Sequence, residues 1–86
     1  MRIYVPTPLQ TYTERKGQVD LEAATLAALL AELNLRYPGI RFRMIDEQGS
    51  IRPHIKFFVN REQVLKLDTQ LTQKDEIHII CALSGG

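Results

Sequence analysis

The sequence predicts an α+β domain in which one main helix packs across a mixed sheet of four to five strands. Three observations predict this class: one amphipathic helical segment, short apolar stretches on both sides of it that are typical of strands, and an ordinary globular composition. The chain has 86 residues, of which 44% are apolar and 24% charged. A chain of this length buries roughly two-thirds of its surface on folding, which suffices for one core but not for a deep cofactor cleft as well.

The helix is the clearest predicted element. Its apolar residues recur at the spacing of one helical face: Leu26, Leu29, Leu30, Leu33 and Tyr37. Thr25 stands directly before them, and its hydroxyl is expected to cap the first helical turn. Pro38 and Gly39 are expected to end the helix.

Two strands are predicted before the helix. Ile3 and Val5 alternate with more polar neighbours, and Val19 and Leu21 do the same. Since such alternation is typical of half-buried strands, we expect the two segments to pair as a hairpin with a long polar connection.

Further strands are predicted after the helix, over residues 54–59 and 76–82. Asn60 and Arg61 are expected to form a tight turn after the first of them, because Asn tolerates left-handed backbone. A short strand is expected at residues 64–65.

The segment over residues 40–53 is predicted to be a strand or an extended loop. Ile40, Phe42 and Met44 alternate there with two arginines. Pro53 excludes a central strand at its own position, because it cannot donate to a ladder.

Charge and cysteine content exclude several classes of protein. Eleven Lys+Arg against ten Asp+Glu give a net charge of +1, which argues against a nucleic-acid-binding domain. A single cysteine, Cys81, excludes an intrachain disulfide and a multi-cysteine metal site. The chain has no long apolar run, so we expect no signal peptide, no membrane span and a cytoplasmic location.

The sequence carries no recognisable enzyme motif. His54 and His78 lie in predicted strands, with no further ligand at metal-binding spacing. Ser50 and Ser84 lie outside any nucleophile elbow, and there is no glycine-rich phosphate loop. Cys81 is in phase with the apolar side of its strand, so we expect a small buried hydrophobe. The protein is therefore predicted not to be an enzyme.

Basic residues are concentrated between residues 36 and 61. They are Arg36, Arg41, Arg43, Arg52, Lys56 and Arg61. This cluster is either an ordinary solvated surface or a docking face for an acidic partner, and the sequence leaves both interpretations open.

The alternation in strands 54–59 and 76–82 also predicts a partner surface. If every second side chain faces the helix, then Phe58, His78 and Ile80 face outward. Where the two strands are neighbours, these three side chains form an exposed apolar patch, which commonly marks an interaction site.

The last four residues are expected to form a flexible tail, 83–86, after a single domain over residues 1–82. Gly85 and Gly86 are poor structural residues, because glycine loses the most entropy on ordering. A mobile end without side chains can thread a narrow channel and bring its carboxylate against another protein's nucleotide.

Several short motifs occur in the order found in a known family. They are Gly17-Gln18-Val19, Thr25-Leu26, Arg36-Tyr37-Pro38-Gly39-Ile40, Phe58-Val59-Asn60, Asp75-Glu76-Ile77 and Ala82-Leu83-Ser84-Gly85-Gly86. With the strand–strand–helix–strand order they resemble the β-grasp fold of ubiquitin, and more closely the sulfur carriers of the MoaD/ThiS family. Two further segments resemble the carrier of cysteine biosynthesis within that family: residues 5–9 with Gly17 and Gln18, and residues 51–54.

This resemblance implies a carrier that other proteins act upon. The Gly86 carboxylate would attack the α-phosphate of ATP on a ubiquitin-activating-type adenylyltransferase, while Leu83, Ser84 and Gly85 pass through that partner's channel. A sulfurtransferase or persulfide donor would then convert Gly86 to a thiocarboxylate for an acceptor synthase. The resemblance implies no bound cofactor in the chain itself, since the partner uses ATP and Mg²⁺. Ubiquitin also uses the face that corresponds to the predicted apolar patch.

Three other functions stay open at this point. One is sulfur delivery to molybdopterin, as the small subunit of its synthase, or to thiamine. Another is a ubiquitin-like modifier that becomes joined to lysines of target proteins. The last is an interaction module whose end is never activated.

Overall fold

The structure is a computed structural model that describes residues 1–82. Its elements in chain order are β1 (Arg2–Tyr4), a 3-10 turn (Thr7–Leu9), β2 (Gln18–Asp20), α1 (Leu26–Arg36), α2 (Ile40–Met44), β3 (Ile55–Val59), β4 (Glu62–Val64) and β5 (Glu76–Cys81). The predicted α+β class is confirmed, because one main helix accompanies a five-stranded mixed sheet. The short strand expected at residues 64–65 lies slightly earlier, at β4.

The sheet has the strand order β2-β1-β5-β3-β4. β1 and β2 form the predicted antiparallel hairpin, and β3 pairs antiparallel with both β4 and β5. β1 and β5 are parallel neighbours, with Ile3 opposite Ile77. A parallel pair needs a long crossover connection, and here that connection contains α1, so the helix lies over one face of the sheet.

The core lies between α1 and the inner face of the sheet. The four leucines predicted for the helical face are at most 1% exposed, and each contributes about 1.5–3 kcal/mol through burial. They pack in one cluster with the inward side chains of the central strands, among them Ile3, Phe57 and Ile77. Thr25 Oγ1 accepts from the amide of Ala28 at 3.1 Å, which confirms the predicted helix cap.

The expectation of a strand or extended loop after the Pro-Gly pair is wrong at α2. Gly39 has φ +99°, a left-handed conformation that turns the chain after α1. Asn34 Oδ1 accepts from the Gly39 amide at 3.0 Å and fastens the start of the new helix. Ile40 and Met44 are fully buried while Phe42 is 54% exposed. The pair at i and i+4 therefore faces the core, and the apparent alternation was accidental.

The predicted tight turn joins β3 to β4. Asn60 and Arg61 have φ of +51° and +77°, so both central residues are left-handed, as the favoured two-residue hairpin turn requires. Asn adopts this conformation at low cost, whereas arginine carries a Cβ that the left-handed region disfavours.

We expect Arg61→Gly to stabilise the protein. Removing the Cβ at a left-handed position relieves about 1 kcal/mol of strain, which corresponds to a rise in Tm of about 4–8 °C for a domain of this size. Arg61→Ala is the matched control, since it removes the same charge but keeps the Cβ. Thermal unfolding followed by circular dichroism measures both variants. An equal rise in both would mean that the arginine side chain, and not the backbone, is responsible.

Candidate functional site

An aromatic row crosses the outer face of the sheet, opposite α1. Tyr4 and Phe58 both stand opposite His78 in the register of the three central strands. The Tyr4 and His78 rings are stacked, with centroids 4.3 Å apart and planes 8° from parallel. Ile80, two residues further along β5, is 41% exposed. We call Tyr4, Phe58, His78 and Ile80 the sheet patch.

The sheet patch contains the three residues that the sequence predicted to face outward together. The structure places Phe58, His78 and Ile80 on one face of neighbouring strands, with the first two half-buried. Sequence reasoning missed Tyr4. Its outward position follows from the alternation with Ile3, but its contact with His78 depends on the parallel β1–β5 pairing, which local patterns do not indicate.

Two positively charged side chains border the sheet patch. Lys56 stands opposite Ile80 on β3 and is exposed. The Tyr4 side chain, and then the Asp20 carboxylate, raise the pKa of Arg2 above its usual value. Arginine is cationic at neutral pH in any case, and the Nε of Arg2 lies 3.8 Å from an Asp20 carboxylate oxygen.

Ala82 is the last described residue and is tied to the sheet. Its amide donates to the His54 carbonyl at 2.7 Å, next to the pairing of Cys81 with Ile55. Ala82 lies two residues beyond Ile80, about 7 Å along the strand direction. Ala82 therefore lies close to the sheet patch. The predicted tail residues, Leu83, Ser84, Gly85 and Gly86, lie outside the described residues.

The remaining candidate residues carry no separate site. Cys81 packs against the core but is half-buried, and so less buried than expected. His54 is exposed and precedes β3 instead of lying within it. Among residues 1–82, no three His, Cys, Asp or Glu side chains are grouped so that they could hold a metal ion. No helix in this part of the chain is long and apolar enough to cross a membrane.

Two of the motifs that carried the family resemblance form one hydrogen-bonded cluster. Asp75 accepts from the Asn60 side-chain amide at 2.6 Å and from the Thr72 amide at 2.8 Å. Asn60 Oδ1 accepts from the Glu76 amide at 2.9 Å. The cluster fastens the β3–β4 turn to the start of β5, at the end of the strand opposite Ala82. The bonds from the Thr72 amide and then from Asn60 hold the pKa of the Asp75 carboxyl below its usual value.

We expect Asp75→Asn to remove a contribution to stability that depends on pH. The lowered pKa of Asp75 means that the charged carboxylate stabilises the fold above the unfolded-state pKa of about 3.9, and that this contribution disappears as pH falls through the lower folded-state pKa. Asp75→Asn should therefore cost about 1 kcal/mol at pH 7 and progressively less as the pH falls toward 2.

Urea unfolding from pH 2 to 7 measures this difference. Asp68→Asn is the control, because Asp68 is exposed and its carboxylate makes no hydrogen bond within residues 1–82. A cost for Asp75→Asn that stays constant across this pH range would contradict the assignment.

The strand order, the parallel pairing of the first and last strands and the helix across one face define a ubiquitin-like β-grasp protein. A family model described as the ThiS family matches residues 3–86. The chain therefore belongs to the ThiS family, and the predicted resemblance and fold are confirmed.

Three individual proteins show which kinds of family member this chain is similar to. Sulfur carrier protein CysO of Mycobacterium tuberculosis is 29% identical over 89 residues, covering 98% of this chain and 96% of its own. A chain in the crystal structure of the Amycolatopsis orientalis BexX/CysO complex has a TM-score of 0.91 at 27% identity, covering 99% of this chain and 98% of that one. Small archaeal modifier protein 3 of Haloferax volcanii is 30% identical over 84 residues, covering 88% and 90% of the two chains. These relatives are named as carriers and a modifier, not as enzymes, which confirms the prediction that the chain is not an enzyme.

Proposed function

We propose that this protein is a sulfur carrier that is charged at Gly86, and that it supplies sulfur for cysteine biosynthesis. The observation that carries the proposal is the ThiS-family match, which extends through Gly85 and Gly86. The relatives named CysO span almost the whole chain and favour the cysteine pathway over molybdopterin or thiamine. The proposal requires the mature protein to carry a free carboxylate on Gly86.

The proposed charging of Gly86 begins with adenylation and continues with sulfur transfer. The Gly86 carboxylate attacks the α-phosphate of ATP on a ubiquitin-activating-type adenylyltransferase, which releases pyrophosphate and leaves an acyl-adenylate. A sulfide then attacks the acyl carbon and displaces AMP, which gives the thiocarboxylate. If the sulfur comes from the persulfide of a sulfurtransferase, the acyl disulfide formed must be cleaved by a thiol, which is oxidised to a disulfide. An acceptor synthase finally consumes the thiocarboxylate sulfur.

The chain itself contributes binding and presentation in this scheme. The sheet patch docks on the activating enzyme, because aromatic side chains on an exposed face supply contact area at low entropic cost. Residues 83–86 enter that enzyme's channel, where the absence of a side chain at Gly85 permits close approach. ATP and Mg²⁺ belong to the partner, whose cationic groups stabilise the developing charge. Because the reaction uses ATP, we place it in the cytoplasm.

A second candidate function is protein modification. The 30% identity to small archaeal modifier protein 3 favours it. In that case the same adenylate would be attacked by a lysine amine of a target protein, and an isopeptide bond would replace the thiocarboxylate.

Intact mass spectrometry of the protein purified from its native cells tests these functions together. The carrier predicts a fraction of free chain whose mass is raised by the exchange of one oxygen for sulfur, and which returns to the lower mass after hydrolysis. The modifier predicts higher-mass conjugates that resist thiols. Unmodified chain alone, with the sulfur donor and the activating enzyme both present, would contradict both.

A further inference from the structure

The basic cluster of the sequence does not form one continuous surface. Lys56 belongs to the outer face of the sheet, and Arg61 lies in the turn at the far end of β3. Arg36 lies at the end of α1, where its guanidinium donates to the Asp20 carbonyl at 3.3 Å. Arg43 and Arg52, in contrast, line the same groove on the helix side of the sheet. Both arginines share this groove with Cys81, at the end of β5.

The groove is bounded by Pro8, Leu9, Phe42 and His54 in addition to the two arginines, and Cys81 borders it at the end of β5. No carboxylate lines it among the described residues. Neither arginine forms an ion pair within residues 1–82. The groove is therefore positively charged and lies directly beside Ala82, whose amide is bound to the His54 carbonyl.

Arg52 is held in one orientation in this groove. Its Nε donates to the Phe42 carbonyl at 2.8 Å. Its guanidinium carbon lies 4.6 Å from the centroid of the Phe42 ring, within the range of a cation–π contact. The two terminal nitrogens of the guanidinium donate to no acceptor within residues 1–82. The contacts of Nε and of the guanidinium face with Phe42 fix the position of this group, while its two terminal nitrogens stay free to donate. Such a guanidinium is organised for bidentate binding of a carboxylate.

We propose that this groove binds an acidic segment of the partner protein that takes up residues 83–86, with a carboxylate of that segment seated on Arg52. The choice of partner rests on the proposed function, whereas the carboxylate site rests on the groove alone. Charge complementarity is the argument for an acidic occupant, and the exposed Phe42 ring adds an apolar contact. The partner would then contact the protein on both sides of the sheet, at the sheet patch on one side and at the groove on the other.

Nuclear magnetic resonance titration of the full chain with a hexaglutamate peptide at low salt tests the site. We expect shifts at Phe42, Arg43 and His54 and at the Nε–H of Arg52, and no shifts with hexaglutamine. Arg52→Gln should weaken binding about tenfold. Arg52→Lys keeps the charge but loses the two parallel N–H donors of the guanidinium, so it should also bind more weakly than the original chain. Arg43→Gln is a second variant that leaves the Arg52–Phe42 contact in place, and it should weaken binding as well.

Lys74→Gln is the matched control. It removes the same charge in the loop before β5, whose six residues separate it from the groove by about 20 Å, so binding should be unchanged. Equal weakening in Lys74→Gln and Arg52→Gln would overturn the proposal, because attraction would then be non-specific. Shifts with inorganic phosphate that match those with the peptide, at equal affinity, would overturn the acidic segment as occupant. The titration needs neither ATP nor an activating enzyme, so its failure is distinguishable from failure of the proposed function.

Discussion

Adding one alanine after Gly86 is expected to abolish formation of the thiocarboxylate. The extension converts the Gly86 carboxylate to an amide, and it moves the free carboxylate about 3.6 Å further along the chain. Because a displacement of even 1 Å from the reacting position costs about 100-fold in rate, the new carboxylate should not reach the α-phosphate. Gly85→Val should have a comparable effect, since its side chain would obstruct the channel.

The measurement is the amount of thiocarboxylate formed by the purified activating enzyme, followed by intact mass spectrometry. Ser50→Ala is the control, because it removes a hydroxyl in an exposed loop and preserves both the length of the chain and the terminal diglycine, so it should be charged at the original rate. Both impaired variants should still bind the activating enzyme through the sheet patch. Full charging of the extended chain would refute the role assigned to Gly86.

The second large effect is expected for Phe57→Ala and Phe58→Ala, which change adjacent residues on opposite faces of β3. Phe57 is fully buried, and its truncation should cost about 3–5 kcal/mol. That loss is a large part of the 5–15 kcal/mol by which a typical domain is stable. Phe58 is half-buried on the outer face, so its truncation should cost much less stability. Phe58 is, however, a central aromatic residue of the sheet patch, so Phe58→Ala should reduce kcat/KM for charging tenfold or more.

Urea unfolding and charging kinetics on the same two variants separate these effects. Phe58→Ala should keep most of its stability and lose charging, whereas Phe57→Ala should lose charging only in proportion to the unfolded fraction. Destabilisation of Phe58→Ala as large as that of Phe57→Ala would show that Phe58 belongs to the core and not to a docking surface.

Most of the framework was predictable because local periodicity determines it. The leucine spacing of α1 and the alternation in β3 and β5 indicated both the elements and their buried sides, and hence the outward direction of Phe58. At α2 the same reasoning failed, because five residues with apolar side chains at alternate positions fit a strand and a single helical turn equally well. The helical outcome there depends on the side-chain oxygen of Asn34, which accepts from the Gly39 amide, and on the left-handed conformation of Gly39.

Residues that meet through distant pairing were harder to predict. Tyr4 and His78 are 74 positions apart in the chain, and their stacking depends on the parallel neighbours β1 and β5. Arg52 and Phe42 likewise appeared separately, the first in the basic cluster and the second in the alternation over residues 40–53, since nothing local indicates that the ring contacts the guanidinium. The family resemblance implied a partner face on the sheet, but it did not indicate the contact between Arg52 and Phe42.

The position of β5 in the sheet has a mechanical consequence. The strand that leads to Ala82 is hydrogen-bonded on both sides, to β1 and to β3. A pull on the chain end, such as an enclosing tunnel would exert, is therefore directed along the strand and shared by two ladders at once. Under such a load the strand has to slide past both neighbours together instead of peeling away bond by bond, so the body stays intact while its terminus is under tension.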